Sequence, residues 1–501
     1  MLYIRMLLSI VVSLYTSRVV LQTLGVENYG IYGVVGGVVS MLTVLNIAMA
    51  RATSRFLSYE MGIAERLNCD EDTGTNRLNQ TFSSALLVHV CLALIILILA
   101  ITIGLWFLSN KLVIPNGRLV AAYWVYFCSI LGMFVSVTQV PYNAAIIAHE
   151  RMDIYAYVEL FNVSLKLGIV YLLIIGNFDK LILYAFLSLA VSVIVAFTYR
   201  IYCLRMFNET HFHFIWKPSI LKPMLSFSGW SFYGVFCDMV RRQGTNFVVN
   251  IFWGVPLNAA ISIASTVQGT FNGLASQVTT AITPQVIKCY ASDEVSKMES
   301  LMLYSVKLTG LLMGIFVVPI LLCCDTIMSL WLVEVPEYAV VFCKIQTLTG
   351  LFSMINNAVY NGIYAAGRMK DVNFITGTLY ILTVPILYML YKWGMSPTAN
   401  QRLYFVVVIV ILMIDIIMLK KVIPQISISK FLKNILLILM VIFISAIPTY
   451  FATSFVDKGL LSVIVAFLVN GVALSILTFC ILFTEEQRRR IAKMVKLKLH
   501  I

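Results

Sequence analysis

Apolar and polar residues alternate along this chain in long blocks. Fourteen apolar segments can be drawn, at roughly 2–24, 30–50, 80–108, 119–140, 154–176, 180–200, 224–252, 256–282, 302–324, 339–363, 372–392, 402–420, 431–453 and 459–483. Each is close to or above the roughly 20 residues that an α-helix needs to cross a bilayer. Short polar connections join them. The pattern predicts an all-α polytopic membrane protein with about 14 transmembrane helices.

One segment breaks the pattern from within. The stretch Met224–Trp253 holds Asp238, Arg241 and Arg242 near its middle. Each charge at the centre of a membrane helix costs roughly 2.5–3.5 kcal/mol on insertion scales, so partners, water or a ligand must satisfy it. Asp238, Arg242, Asn246 and Asn250 recur every fourth residue, which sets them along one slowly drifting helix face. That face is expected to line a polar pathway. Asp238 reaches both i+3 and i+4. It is expected to pair with one arginine and leave the other free.

Composition agrees with a membrane chain and adds little else. Of 501 residues 60% are hydrophobic and 12% charged, against about 25% charged in soluble domains. No small-residue cleavage site follows the first apolar stretch, so no removable signal peptide is expected. The ten cysteines show no CxxC and no regular spacing, which argues against a disulfide framework or a metal site.

The net charge of +13 reports topology first and does not argue for nucleic acid. With a cytoplasmic amino terminus, the inside connections carry Arg51, Arg55, Arg66, Arg77, Arg200, Arg205, Lys217, Lys222, Lys420, Lys421 and the run Arg488-Arg489-Arg490. The outside connections hold only Lys111, Arg118, Lys180, Lys392, Arg402 and Lys458. This asymmetry predicts that both termini are cytoplasmic. The last residues, 485–501, read as a basic segment on the anionic leaflet.

The chain also repeats itself. Tyr142-Asn143 with Arg151-Met152-Asp153 answers to Tyr360-Asn361 with Arg368-Met369 and Asp371. Leu24-Gly25-Val26 answers to Trp253-Gly254-Val255. Both matches lie about 220–230 residues apart, which is six segments. An even number of spans makes the copies parallel, and transporters of that kind bind substrate between the two halves. The expected organisation is two parallel six-helix lobes around a central cavity, at 1–210 and 211–425. Helices 13 and 14 follow at 426–484, then the basic tail.

With these features in place a family resemblance emerges. Tyr15-Thr16-Ser17-Arg18-Val19-Val20, Leu24-Gly25-Val26-Glu27-Asn28-Tyr29-Gly30-Ile31-Tyr32 and Ala52-Thr53-Ser54-Arg55-Phe56 resemble bacterial polysaccharide flippases. These are the O-antigen, capsule and exopolysaccharide repeat-unit translocases of the multidrug/oligosaccharidyl-lipid/polysaccharide exporter superfamily. The resemblance spans the whole chain. It implies a protein of the bacterial inner membrane that moves a polyprenyl-diphosphate-linked oligosaccharide by alternating access. It also implies partnership with membrane lipids and with polysaccharide polymerase and chain-length machinery. The family's basic cavity residues map here onto Arg18 and onto Arg241 or Arg242, with Arg51 and Arg55 at the cavity mouth. Two departures stand out. There is no basic residue between Pro256 and Pro284, and the first segment lacks the longer basic lead of relatives.

Other polar residues enter as candidates. Asn246 and Asn250 join the candidate substrate cavity; stripes of Ser265, Gln268, Asn272, Ser276, Thr279 and Thr283, and of Gln346, Thr349, Ser353, Asn356 and Asn357, either meet sugar hydroxyls in a wet cavity or glue helices together. Glu159 and Lys166 share a face two turns apart and, with Asp238, are candidates for coupling or gating. Lys307 and Lys344 are expected to snorkel, Asp415 to pair with Lys420 or Lys421 at the cytoplasmic interface rather than relay protons, and His89 to be a hydrogen-bonded core residue. No Gly-rich phosphate loop occurs, so no cofactor is expected beyond a coupling proton or sodium ion. The main alternative is a drug or small-cation exporter of the same superfamily, which the basic excess of buried charge disfavours. A membrane polymerase or glycosyltransferase would need acids on sizeable outer loops, and those loops are short.

Overall fold

The computed structural model describes residues 44–482 except 67–70, 111–115, 174–177, 333 and 458, together with single positions and short runs between 12 and 35. Arg18, the glycines Gly33, Gly36 and Gly37, whose small size is expected to allow close helix packing or bending, and the tail at 485–501 lie outside the described residues.

The described chain is helical. In order it forms α1 (Val44–Arg66), α2 (Glu71–Leu99), a π turn (Ala100–Gly104), the short α3 (Leu105–Asn110), α4 (Leu119–Ala148), α5 (Met152–Leu172) and α6 (Lys180–Met206). Then follow α7 (Pro218–Trp253), α8 (Val255–Ala291), α9 (Val295–Trp331) and α10 (Ala339–Ala366). The last four are α11 (Met369–Lys392), α12 (Ala399–Val422), α13 (Ile428–Ser454) and α14 (Leu460–Leu477). No strand occurs among the described residues. Among the described residues nine helices are long and apolar enough to cross a membrane, which makes this a multi-pass membrane protein. α7 and α8 are not among the nine, because their polar stripes dilute them.

The helices overrun the apolar segments read from sequence. α7, α8 and α9 have 36, 37 and 37 residues, about 55 Å each at 1.5 Å per residue, against a hydrocarbon core of about 30 Å. Hydropathy marks only the part inside lipid, and helix propensity carries the rest. The same effect corrects the stretch read as a connection at 51–80. It is mostly helix, with Arg51 and Arg55 well inside α1.

Two compact units make up the chain: Met1–Val235 with Tyr290–Asp293, and Phe236–Cys289 with Glu294–Ile501. In the first, α4 and α6 share a core with Tyr126, Tyr199, Phe82 and Ile130 fully buried. Tyr126 donates its hydroxyl to the Ala100 carbonyl at 2.7 Å, where the π turn leaves the α-helical ladder. In the second, α10 packs between α9 and α12.

The two sequence matches recur as backbone geometry. Gly25 and Gly254 both take the left-handed conformation, at φ +78° and +76°, which glycine adopts without strain. α4 and α10 both end at a left-handed residue, Glu150 or Gly367. An arginine then opens the next helix, at φ −77°, ψ 61° for Arg151 and φ −87°, ψ 59° for Arg368. An acid follows in the first turn, Asp153 or Asp371.

Helices 13 and 14 are fastened to α9 by small residues and one polar clip. Gly310 and Gly314 are four apart, and a Cβ on them would stand 2.8 and 2.9 Å from Ile438 and Ile442. Such pairs let membrane helices approach closely. Pro319 cannot donate to the carbonyl of Ile315. Asn470 of α14 supplies the missing donor, bonding Ile315 O at 3.2 Å and Gly314 O at 3.1 Å. Its Oδ1 accepts from Ser445 of α13 at 3.0 Å.

Candidate functional site

The site grows from the charged turn of α7. Asp238, Arg241 and Arg242 belong to successive turns, so one carboxylate reaches both guanidinium groups. Asp238 Oδ1 accepts from Arg241 Nε at 3.0 Å and Nη2 at 2.7 Å, and Oδ2 accepts from Arg242 Nε at 2.8 Å. The expectation that one arginine would be left without Asp238 is therefore corrected, since the carboxylate has two oxygens and serves both.

The two arginines differ in everything else. The Arg241 side chain is 7% exposed and that of Arg242 66%. Arg241 lies over the ring of Tyr404 at 3.8 Å and 5.4 Å from that of Tyr380. A desolvated contact of this kind is worth about 2 kcal/mol. Arg242 engages Asp238 through Nε alone, so its terminal nitrogens stand outside that bond. A guanidinium presenting those donors suits the oxygens of a phosphate or carboxylate.

Around Arg242 the second unit holds a cavity of about 580 Å³. α7 contributes Arg241, Arg242, Gln243 and Asn246 to its wall; α8 contributes Ser265, Gln268 and Asn272. Gln346 and Ser353 come from α10, and Asn400, Gln401 and Tyr404 from α12. No acidic side chain is among the lining residues. The wall is therefore cationic and rich in amides. Two amide oxygens, Asn272 Oδ1 and Gln346 Oε1, have no donor among the described residues, and such acceptors are costly unless water or a ligand meets them. A Cβ at Gly350 would stand 2.8 Å from Asn272 Oδ1 and 3.3 Å from Gln268 Cγ. The bare backbone there gives both amides their room.

Arg241 and Arg242, marked by their charge in an apolar span and by the family resemblance, and Asn246, Gln268 and Asn272, marked by their spacing, meet in this cavity. Asn250 does not line it and is exposed. Four-residue steps drift by about 40° each at 100° per residue, so three steps carry Asn250 about 120° off the face. Asn400, Gln401 and Tyr404 escaped notice, because Asn400 and Gln401 stand just ahead of an apolar segment and read as its outer connection. The signal was their position within one turn of that segment, which helix capping readily absorbs.

Other candidates separate. Arg55 is 8% exposed and stacks on Phe56, Tyr59 and Phe227 at 4.8, 4.7 and 5.8 Å, a caged cation of the first unit. Arg51 is exposed on α1. Glu159 accepts from Tyr199 at 3.4 Å, and Lys166 is exposed with no ion pair to it. Lys307 donates to the Leu482 carbonyl at 2.9 Å and Lys344 to Asp325 at 3.2 Å. His89 is fully buried and bonds the Ala85 carbonyl at 2.9 Å. Asp415 corrects the sequence reading. It is 1% exposed and bonded to Asn356, while Lys420 turns to the Pro424 carbonyl.

The sequence matches no protein-family model, and no curated protein matches it. Solved structures do match its fold. An outward-facing multidrug resistance MATE family transporter of the MOP superfamily gives a TM-score of 0.65 at 16% identity, over 87% of this chain and 94% of that one. A MATE in complex with MaD3S gives 0.68 at 16% identity, over 84% and 95%. A MOP superfamily transporter from Pyrococcus furiosus, whose reversed binding-pocket polarity suggests a different function, gives 0.66 at 16% identity over 87% and 94%. The fold is that of MATE transporters of the MOP superfamily.

Proposed function

We propose that this chain is a flippase. It carries a polyprenyl-diphosphate-linked oligosaccharide across the bacterial inner membrane for surface polysaccharide assembly, working by alternating access. The observation that carries this reading is the cavity around Arg242, cationic, free of lining acids and walled by amides and hydroxyls. A diphosphate asks for guanidinium donors, and an oligosaccharide asks for many neutral hydrogen-bond partners. Drug cations would ask for acids or bare aromatic faces, and here Tyr404 is covered by Arg241. The reversed pocket polarity described for the P. furiosus transporter supports reading polarity as a guide to substrate on this fold. The lipid tail stays in the bilayer, and polymerase and chain-length machinery take over the delivered unit.

The test is Arg242→Gln in the native host, with insertion checked by membrane fractionation. Surface polysaccharide falls, lipid-linked units accumulate on the cytoplasmic leaflet, and drug susceptibility of a deletion strain is unchanged. Normal polysaccharide with altered drug susceptibility would instead favour the multidrug exporter of the same fold.

A further inference from the structure

Further along α10 from the cavity, a carboxyl is buried where no cation meets it. Asp415 of α12 accepts one hydrogen bond, from Asn356 Nδ2 to its Oδ2 at 2.8 Å. Among the described residues its Oδ1 has no partner, and neither does the Oδ1 of Asn356. α10 presents Asn356 to it, and the phenol Tyr380 of α11 lies within electrostatic reach. Among the described residues no charged group of α9, α12 or α13 acts on it.

An ionised carboxylate has about four acceptor sites to fill. One neutral amide is far short of that in a membrane helix, and an isolated buried charge is strongly disfavoured. The pair holds surplus acceptors and lacks a donor. A proton is the smallest species that supplies one.

The site is joined to the cavity in two ways. Asn356 follows the cavity residue Ser353 by one turn of α10. Tyr380 lies within electrostatic reach of Asp415, and also of Asp238 and of Arg241, whose guanidinium is 5.4 Å from its ring.

We propose that Asp415 is a proton-binding site of the transport cycle, loaded from the cavity along the Ser353–Asn356 face of α10. An O–H bond forms at Oδ1, and the hydronium that gives up its proton leaves as water. The reverse step returns the proton to water. Tyr380, within electrostatic reach of Asp415 and of the Arg241–Asp238 pair, couples the two, so ionising Asp415 weakens the cluster's pull on an anionic ligand. Protonation restores that pull, so proton and anion bind with positive linkage. The linkage clause, not the proton site, rests on the anionic substrate proposed above.

The test uses the full chain in lipid nanodiscs. Infrared spectra across pH are expected to show a protonated-carboxyl band that is present at neutral pH, fades at alkaline pH and is missing from Asp415→Asn. Asn356→Leu removes the one donor to the ionised form, so the same band persists to higher pH. This second variant keeps the test decisive if Asp415→Asn fails to fold. An Asp415 that stays ionised, one that holds its proton at every pH, or a response to Na⁺ in place of pH would each overturn the proposal. Inorganic pyrophosphate then probes the linkage. It binds more tightly to wild type as pH falls and shows no such dependence in Asp415→Asn. A titrating band without pyrophosphate binding leaves the proton site standing and removes the substrate reading.

Discussion

Arg241 and Tyr404 meet face on, the guanidinium 3.8 Å from the ring centroid. The same guanidinium closes on Asp238 through two nitrogens. Arg241 is thus held on both sides and serves as the wall that keeps Asp238 and Arg242 in place. Arg242, mostly exposed, is the cation left to the cavity.

Asp238→Ala leaves a buried guanidinium with no counter-charge. Breaking such a pair costs about 3–5 kcal/mol, more than a surface pair, whose worth is about 0–1 kcal/mol. Thermal unfolding in detergent is expected to drop sharply for Asp238→Ala and Arg241→Ala, and little for Arg242→Gln. Equal losses for all three would contradict the asymmetry between the arginines.

Gly350→Ala tests how tightly the cavity floor is built. The added methyl meets Asn272 and Gln268 at 2.8 and 3.3 Å. Overpacking of this kind costs about 1–3 kcal/mol. The protein is expected to insert, melt a few degrees lower and export less polysaccharide, because the displaced amides are cavity residues. Full export at unchanged stability would show that the floor yields freely.

Asn470→Leu removes the donor that Pro319 withholds from Ile315. Each carbonyl left unsatisfied in the interior costs about 1–3 kcal/mol. The expected result is a lower melting temperature and protease cleavage near residues 455–460, as α13 and α14 loosen from α9. Unchanged proteolysis would mean that the Gly310 and Gly314 contacts suffice alone.

Outside the membrane spans, Glu209 offers a pH-dependent contact. Its carboxylate is bonded by His149 at 2.5 Å, and the His149 ring stacks on Phe207 at 3.9 Å. Burial alone would raise the Glu209 pKa, but the His149 bond and its backbone bond outweigh it and hold the group below its ordinary value of 4.5. A depressed carboxylate stabilises the fold above its unfolded pKa and loses that stability as pH falls through the folded one. Glu209→Gln is therefore expected to melt lower than wild type at pH 7, with the gap closing below about pH 4.5. A gap that persists into strong acid would assign the effect to packing.

The sequence by itself determined the class of molecule. Long apolar blocks have one stable form in a bilayer, because every backbone group must be paired within its own helix. It also carried two internal matches, since Gly25 and Gly254 fill positions where a side chain would be strained, and residues of that kind leave a signature. The charged turn of α7 was legible because charge in an apolar block is costly. What tertiary structure alone decided is who faces whom. Helix periodicity gives each side chain a direction on its own helix, but the rotation of one helix against another is set by packing. The sequence thus could not place Tyr404 over Arg241, bring Asn400 and Gln401 to the cavity wall, divide Asp238 between two arginines, or turn Asp415 from Lys420 to Asn356.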